Sequence, residues 1–345
     1  MFEETFKFLK RHSSYIITTH DKVDADGVGA EIAFAQICRE MGRNYRILNS
    51  GPVPDRFAFM DPNKEIGIWG KTQGQSDSVY GKFGGTDYCS INPASAEVSG
   101  HNSALVILDS ADEYNIGDIN EYIPQAAEVF IIDHHEEEQT SFGGLRDASA
   151  SSTCEMIVEM AMAAGILLDP VSAAALYAGI IYDTGSFAYS KTTARTFNAA
   201  LKLVERGANP YRIYSALNES ASTGSLLLHK QVLSTLEIYS KGRIAVQILR
   251  KEALESTKTH DEDAEAFVNV PLKASEIEVS ILIKESREGQ IRCSLRSKGR
   301  VNVSKVAQGF GGGGHVTASG FRSSMGVNET LSKVLEKITA ILDKD

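Results

Sequence analysis

Acidic and histidine side chains follow three short apolar runs of this chain, at the point where each run ends. The runs are residues 15–19, 104–108 and 129–132. The side chains that follow them are His20, Asp24, Asp26, Asp109, Asp133, His134 and His135. Short apolar runs separated by helical patterns are typical of buried strands in a parallel sheet, whose carboxyl ends meet at one edge. Because carboxylates and imidazoles bind hard or borderline divalent metal ions, the sequence predicts a metal centre at that edge.

A fourth acidic group stands at the end of a predicted helix. The helix is expected from residue 170 to about residue 181, and it is followed by Asp183, Thr184 and Gly185. Gly185 lets the backbone approach a ligand closely. Any one of the four groups could be an ordinary turn, in which Asp and Gly are common. Four such groups at the ends of predicted elements together favour a binding site.

The residue types also indicate which metal the site would bind. Carboxylates predominate and no thiolate is present, which favours Mn²⁺ over a structural Zn²⁺ site, with Mg²⁺ or Co²⁺ as substitutes. These side chains offer more candidate ligands than one ion needs. Two ions about 3.5–4 Å apart are the arrangement that phosphatases and nucleases use for in-line displacement at phosphorus.

A glycine-rich segment is the second candidate site. Gly309, Phe310 and four consecutive glycines precede His315, and residues 318–320 (Ala-Ser-Gly) follow. Consecutive glycines cost backbone entropy, so a plain structural role would be an odd use of them. Their exposed N–H groups, near Arg296, would form a nest that binds a phosphate group. The alternative interpretation is a flexible linker.

The surrounding patterns predict two domains. Strand and helix patterns alternate to about residue 210, which indicates an α/β domain with a parallel sheet. Strand-like alternation and two helical patterns downstream indicate a smaller α+β domain. We place the catalytic metal-binding domain at residues 1–210, a linker at residues 211–231 and the substrate-binding domain at residues 232–345. Residues 70–103 are polar, and we expect a long surface excursion there.

Composition and charge exclude several classes of protein. The chain has 345 residues and a formal net charge of −10, with −13 in residues 1–229 and +3 in residues 230–345. Overall acidity argues against binding of long nucleic acid, although residues 292–305 carry five basic residues and no acidic one. The four cysteines are scattered and predict no disulfide framework. No segment resembles a signal peptide or a membrane span, so we expect a cytoplasmic protein.

At these residues the chain resembles the DHH phosphoesterases. The segments that match the four motifs of that family are His20-x-x-x-Asp24-x-Asp26, Asp109, Asp133-His134-His135 and Asp183-Thr184-Gly185. The glycine run and residues 318–320 are similar to the DHHA1 domain of the subfamily that contains the bacterial nanoRNase/pAp phosphatases. The resemblance covers nearly the whole chain. It implies a parallel-sheet DHH domain, a smaller α+β DHHA1 domain and an active site in the interdomain cleft.

The resemblance also implies roles for the motif residues. One Mn²⁺ would be held by His20, Asp24 and Asp109, and a second by Asp26, Asp109, His134 and Asp183. Asp133 would orient an imidazole ligand. The residues expected to act in catalysis are Asp109, His134, His135 and Asp183. The residues expected to bind the substrate are His135, Arg296, Gly312, Gly313, Gly314, His315 and Ser319.

Several activities are compatible with this resemblance. The implied activity is hydrolysis of very short oligonucleotides to mononucleotides, and of 3′-phosphoadenosine 5′-phosphate to AMP, by a water molecule that two metal ions activate. The alternatives are a phosphodiesterase for linear or cyclic dinucleotides, a pyrophosphatase or exopolyphosphatase, and a RecJ-like single-strand exonuclease. From a different class, a nucleotide-binding module without turnover is an alternative. We expect no membrane partner and no long nucleic acid, and a homodimer is compatible with the sequence.

Overall fold

The computed structural model describes residues 2–70, 90–91, 103–110, 112–135, 142–314 and 316–343. The chain divides into two units, Met1–Ser220 and Ala221–Asp345. Most of the polar segment 70–103 lies outside the described residues, and so does His315. Among the helices within the described ranges, none is long and apolar enough to cross a membrane.

In the first unit the apolar runs are strands of one sheet, as the sequence analysis predicts. The strands are β1 (Ser14–Thr18), β2 (Asn44–Asn49), β3 (Ile66–Trp69), β4 (Ser90–Ile91), β5 (Ala104–Leu108), β6 (Val129–Asp133) and β7 (Gly143–Arg146). They lie in the order β4-β3-β2-β1-β5-β6-β7, and every neighbouring pair is parallel. The winding direction reverses between β1 and β5. Open α/β sheets bind ligands at such a point, beyond the carboxyl ends of the strands.

The register brings the ends of the three central strands level with one another. Thr18 of β1 pairs with Ile107 of β5, and Leu108 of β5 pairs with Ile132 of β6. Both faces of β5 and β6 are buried, which explains why each is a continuous apolar run. The acidic and histidine residues that follow these strands therefore start from one edge of the sheet.

Helices cover both faces of this sheet. They are α1 (Glu3–Arg11), α2 (Ala25–Glu40), α3 (Thr153–Ala163), α4 (Pro170–Asp183), α5 (Ala194–Glu205) and α6 (Pro210–Asn218), with 3-10 helices at Asp55–Met60 and Glu113–Gln125. One face packs against α1 to α4, and the second 3-10 helix covers the other face. Helix α2 is central, since 14 of its 16 residues are buried. Its buried residues include the polar Asp26, Glu31 and Gln36, which must find partners inside the fold.

Two glycines allow α3 to pack closely against α2 and α4. A methyl group at Gly29 would lie 2.7 Å from Cys154 Sγ, and a methyl group at Gly179 would lie 2.4 Å from the same sulfur. A methyl carbon cannot lie this close to a sulfur atom, so one of the helices would have to shift. Cys154 is fully buried, as expected for a reduced packing residue. The start of α3 can therefore lie this close to α2 and α4 only because both glycines lack a side chain.

The second unit has the mixed sheet expected of a smaller α+β domain. Its strands are β8 (Glu237–Tyr239), β9 (Ile244–Leu249), β10 (Val279–Glu285), β11 (Ile291–Ser297), β12 (Gly313–Gly314) and β13 (Ala318–Ser323), in the order β12-β13-β11-β10-β9-β8. Only β9 and β10 are parallel among the described neighbouring pairs. Its helices are α7 (Thr223–Ser234), α8 (Lys251–Thr257), α9 (Val303–Gln308) and α10 (Val327–Leu342), with 3-10 helices at Asp261–Asn269 and Pro271–Lys273. Apolar cores include residues of α10 and of α7.

The boundary between the units differs from the linker placed at residues 211–231. Ile213 of α6 is buried in the core of the first unit, and Leu228 and Val232 of α7 are buried in a core of the second. Burial of these apolar side chains stabilises helices on both sides of the boundary. The units divide between Ser220 and Ala221, and residues 211–231 are largely helical.

Replacing Gly179 with alanine should destabilise the first unit. Alanine is favoured over glycine inside a helix by about 1 kcal/mol, but overpacking costs about 1–3 kcal/mol. The added methyl group would lie 2.4 Å from Cys154 Sγ and 3.0 Å from Ala25 O. We expect a lower free energy of unfolding, measured by urea denaturation. Gly51→Ala is the control, because no described atom lies within 4 Å of its added methyl group. Equal stability of Gly179→Ala and wild type would contradict the packing argument.

Candidate metal centre

Asp24 caps helix α2 and faces a histidine. Its Oδ1 accepts hydrogen bonds from the backbone N–H groups of Asp26 at 3.0 Å and Gly27 at 3.2 Å. The same oxygen lies 3.6 Å from His20 Nε2. The short segment between β1 and α2 therefore folds through its cap, and this brings His20, Asp24 and Asp26 to the edge of the sheet.

Asp109 lies between the other candidate ligands. It follows β5 directly and has a φ of 57°, a left-handed conformation that is uncommon for a residue with a side chain. Its Oδ2 lies 3.6 Å from His20 Nε2, whereas its Oδ1 lies 3.5 Å from His134 Nε2. The side chain is 2% exposed. Because its two oxygens face different imidazoles, Asp109 is suited to bridge two ions.

Three groups of candidate ligands form at this edge. Within each group, one ligand atom from every residue lies within 4.8 Å of the others. The groups are His20 with Asp24 and Asp109, Asp26 with His134 and Asp183, and Asp109 with His134 and His135. The structure thus brings together all six residues that the sequence analysis assigns to metal binding. Which of them bind each ion stays a prediction.

Asp26 is held by the start of helix α3. Its Oδ2 accepts a hydrogen bond from Thr153 N at 2.6 Å, and its Oδ1 accepts one from Cys154 N at 2.9 Å. Burial and the negative charges of Asp109 and Asp183 raise the pKa of Asp26. Hydrogen bonds from two backbone N–H groups favour the ionised form and oppose that shift. The carboxylate is fully buried, so these bonds also fix its orientation.

Asp133, which was predicted to orient an imidazole, is hydrogen-bonded to His135. Asp133 Oδ1 lies 2.7 Å from His135 Nδ1, and the Asp133 side chain is fully buried. The hydrogen bond with Asp133 raises the pKa of His135. His135 is 37% exposed, in contrast to His134 at 8%. His134 therefore lies among the carboxylates, and His135 can be reached from solvent.

Positive charge among the carboxylates is strongly favoured. Burial lowers the pKa of His20, but the carboxylates of Asp109 and Asp24, each 3.6 Å from its Nε2, outweigh this effect and raise the pKa to about 11. Burial of His134 is likewise outweighed by the nearby carboxylates, and its pKa rises to about 10. Burial raises the pKa of Asp183 to about 6. Protons on the imidazoles would compensate the buried negative charge, as bound cations also would.

The donor set fits divalent metal ions. His134 Nε2 lies 3.1 Å from Asp183 Oδ2, 3.5 Å from Asp109 Oδ1 and 3.8 Å from Asp26 Oδ2. Within the described part of the chain, Nδ1 of His134 has no hydrogen-bond partner, although the side chain is buried. Such unsatisfied buried atoms are uncommon. Nitrogen and oxygen atoms that converge in this way match the ligands of a hard or borderline ion.

A buried network behind His20 was not identified from the sequence. Asn49 Oδ1 accepts hydrogen bonds from Thr18 Oγ1 at 3.2 Å and Thr19 N at 3.4 Å, and its Nδ2 donates to Glu31 Oε2 at 3.0 Å. Burial raises the pKa of Glu31 to about 8. The network joins the end of β1 to β2 and α2. The only sequence signal was a polar residue at the end of a strand.

In the second unit, predicted substrate-binding residues lie on neighbouring strands. Arg296 of β11 pairs with Ala318 of β13, and Ser319 of β13 pairs with Gly314 of β12. Ser319 Oγ donates to Val303 O at 2.7 Å and is buried, so this hydroxyl stabilises the domain. His315 lies outside the described residues.

At two of the predicted phosphate-binding glycines, neighbouring backbone atoms leave no room for a side chain. A methyl group at Gly312 would lie 2.2 Å from Gly320 O. Gly314 has a φ of 131°, and a methyl group there would lie 2.6 Å from Ala318 O. At Gly313 no described atom lies within 4 Å of an added methyl group. Close pairing of β12 with β13 thus gives the glycine run a structural role, contrary to the expectation from the sequence.

Family models match both units. The model of the DHH family, N-terminal domain, matches residues 14–180, and the model of the DHHA1 domain matches residues 241–344. The chain belongs to the DHH phosphoesterase family. The family resemblance that the sequence analysis drew from the four motifs and the glycine run is thereby confirmed. The protein is a metal-dependent hydrolase of the DHH/DHHA1 type.

Curated relatives are similar over almost the whole chain. The probable bifunctional oligoribonuclease and PAP phosphatase NrnA of Streptococcus mutans is 27% identical over 96% of this chain and 96% of the relative. The bifunctional oligoribonuclease and PAP phosphatase NrnA of Bacillus subtilis is 28% identical over 92% of this chain and 91% of the relative. The cyclic-di-AMP phosphodiesterase GdpP of Bacillus subtilis is 26% identical over 96% of this chain, which spans 48% of the relative.

A solved structure shares the fold over the same extent. An exopolyphosphatase-related protein from Bacteroides fragilis superposes with a TM-score of 0.84 and 22% identity, covering 99% of this chain and 97% of that protein. The likeness supports the two-unit α/β and α+β architecture.

Two substitutions of Asp24 separate its capping role from metal binding. Asparagine keeps an oxygen for the N–H groups of Asp26 and Gly27, whereas alanine does not, and loss of an N-cap costs about 0.5–2 kcal/mol. We expect Asp24→Asn and Asp24→Ala both to weaken binding of a divalent metal ion in calorimetric titration, because both remove the carboxylate. Only Asp24→Ala should lower the thermal stability of the metal-free protein. Wild-type metal affinity in Asp24→Asn would exclude Asp24 as a ligand.

Proposed function

We propose that this protein is a Mn²⁺-dependent phosphoesterase that hydrolyses very short oligonucleotides to mononucleotides, and 3′-phosphoadenosine 5′-phosphate to AMP. The observation that carries the proposal is the position of Asp109, whose two oxygens face His20 on one side and His134 on the other, an arrangement suited to two ions. The relatives named as bifunctional oligoribonucleases and PAP phosphatases, aligned over more than nine tenths of the chain, supply the substrate class.

In this proposal two sets of side chains hold the metal pair. One set is His20, Asp24 and Asp109, and the other is Asp26, Asp109, His134 and Asp183. The chemistry that a bound pair supplies is activation of a water molecule and neutralisation of charge on the phosphate. The predominance of carboxylates favours Mn²⁺, with Mg²⁺ or Co²⁺ as substitutes.

His135 is the residue that we expect to contact the phosphate under attack. Its Nδ1 is 2.7 Å from the buried Asp133, and this hydrogen bond raises the pKa of His135. The ring therefore keeps a second proton, on Nε2, more readily than a free histidine would. From Nε2 it can donate to a nonbridging phosphate oxygen and stabilise the charge that develops there. Asp133 thus acts by fixing the orientation and protonation of His135.

We expect the DHHA1 domain to bind the part of the substrate that is not attacked. Arg296 supplies a guanidinium, which recognises phosphate with paired donors. Backbone N–H groups of residues 312–314 are the further candidates, together with His315. The Ser319 hydroxyl already donates to Val303 O, so its contribution would come from the backbone. A second binding region of this kind would favour substrates that are only a few nucleotides long.

A phosphodiesterase for linear or cyclic dinucleotides is the second candidate function. The observation that favours it is the 26% identity to the cyclic-di-AMP phosphodiesterase GdpP over 96% of this chain. The same ligand groups would serve either substrate, because both reactions break a phosphate ester by in-line attack. The difference would arise from the residues that hold the bases and the second phosphate.

Mn²⁺-dependent hydrolysis of matched substrates tests the proposal. The substrates are 3′-phosphoadenosine 5′-phosphate, a 5′-labelled dinucleotide, cyclic di-AMP, a 24-mer single strand and pyrophosphate. We expect the first two to have a kcat/KM far above the others. A dominant 24-mer or pyrophosphate activity would contradict the substrate class, and dominant cyclic di-AMP hydrolysis would select the second candidate. Asp109→Asn is the control, which should lose more than about 100-fold in kcat, since even outer partners of metal ligands contribute 10- to 100-fold.

A further inference from the structure

The start of helix α3 contacts two candidate metal ligands, and one of the contacts comes from a side chain. Thr153 Oγ1 donates a hydrogen bond to Asp109 Oδ1 at 3.0 Å, and both side chains are buried. We infer that Thr153 is a positioning residue of the metal centre, whose hydroxyl holds the Asp109 carboxylate in the orientation that both proposed ligand sets need. The inference rests on the proposed two-ion function.

Asp109 depends on an outside partner to fix its carboxylate. Its Oδ2 faces His20 and its Oδ1 faces His134, so rotation of the carboxylate would displace both oxygens at once. The terminal torsion of an aspartate is broad and has no strong preference of its own. A carboxylate oxygen has two acceptor sites, so the oxygen that accepts from Thr153 can still bind a metal ion.

The position of Thr153 does not depend on its own hydroxyl. The backbone N–H groups of Thr153 and Cys154 donate to the two oxygens of Asp26 at 2.6 and 2.9 Å. Ser152 caps the helix by accepting a hydrogen bond from Glu155 N at 3.0 Å. These contacts persist when the threonine is replaced with valine. Loss of the hydroxyl therefore changes the restraint on Asp109 and leaves the helix start in place.

An ion-pair network also holds the same helix. Arg195 of α5 lies 3.1 Å from the buried Glu155 and 2.6 Å from Asp147, which follows β7. Glu155 Oε2 also accepts a hydrogen bond from Ser151 Oγ at 2.6 Å. Because α3 is held both by Asp26 and by Arg195, the Thr153 hydroxyl has a fixed position relative to Asp109.

Two substitutions of Thr153 test this role. Thr153→Val keeps the shape of the side chain and removes the hydroxyl. We expect it to bind Mn²⁺ about 10- to 100-fold more weakly, the loss that is typical when a residue that orients a metal ligand is changed. Thr153→Ser keeps the hydroxyl and should restore most of the affinity. Isothermal titration calorimetry measures the affinity, and the rise in Tm on addition of Mn²⁺ gives a second readout that does not depend on activity.

Thr196→Val is the matched control within the same unit. Thr196 is fully buried, and its Oγ1 accepts a hydrogen bond from Thr193 N at 3.1 Å at the start of α5. Removing this hydroxyl should lower the Tm of the metal-free protein and leave Mn²⁺ affinity unchanged. Thr153→Val also removes a hydrogen bond to a buried carboxylate and should lower the metal-free Tm as well. Of the two variants, only Thr153→Val should weaken Mn²⁺ binding.

The outcomes distinguish this inference from the proposed function. Wild-type Mn²⁺ affinity in Thr153→Val would overturn the inference, and so would an equal loss in Thr153→Ser, because a hydroxyl role predicts rescue. Failure of the wild-type protein itself to bind Mn²⁺ or to hydrolyse any of the matched substrates would overturn the proposed function. A wild-type enzyme that binds and hydrolyses, together with an unaffected Thr153→Val, would contradict only the role of Thr153.

Discussion

Buried negative charge is the constraint on which the first unit depends. Asp26 and Asp109 are almost completely buried, and Asp183 lies 3.1 Å from the imidazole nitrogen that also faces both of them. Removing a carboxylate from water costs several kcal/mol, which is comparable with the whole free energy of unfolding of a domain. Carboxylates this close also oppose each other's ionisation. Cationic charge and oriented N–H groups are the two means of compensation, and the site is built to use both.

The fold supplies the N–H groups from elements that cannot move independently. Helix α3 directs the N–H groups of Thr153 and Cys154 at Asp26, and the absence of side chains at Gly29 and Gly179 lets it approach that closely. The reversal of winding between β1 and β5 places the strand ends beside these donors. The metal centre therefore depends on close packing of α3 against α2 and α4. A site held in this way is preorganised for the ions before they bind.

How much the sequence could predict depends on how local the signal is. The strands and the convergence of the candidate ligands were predictable because all of these residues except Asp183 follow continuous apolar runs, and parallel strands end at one edge. Thr153 was not predictable as a partner of Asp109, because 44 residues separate them and only the packing of α3 joins them. The helices within residues 211–231 were missed for a similar reason. Their apolar residues are few, and burial against two different cores stabilises them.

The number of Mn²⁺ ions bound per chain, measured together with hydrolysis of 3′-phosphoadenosine 5′-phosphate, tests the central claim most directly. Metal-free protein is titrated with Mn²⁺, and bound metal and initial rate are determined at each step. Because the two oxygens of Asp109 face His20 and His134, the histidines of the two proposed ligand sets, the account predicts two ions per chain at saturation and a rate that rises with the second ion. Saturation at one ion per chain with full activity, or no binding at all, would contradict it.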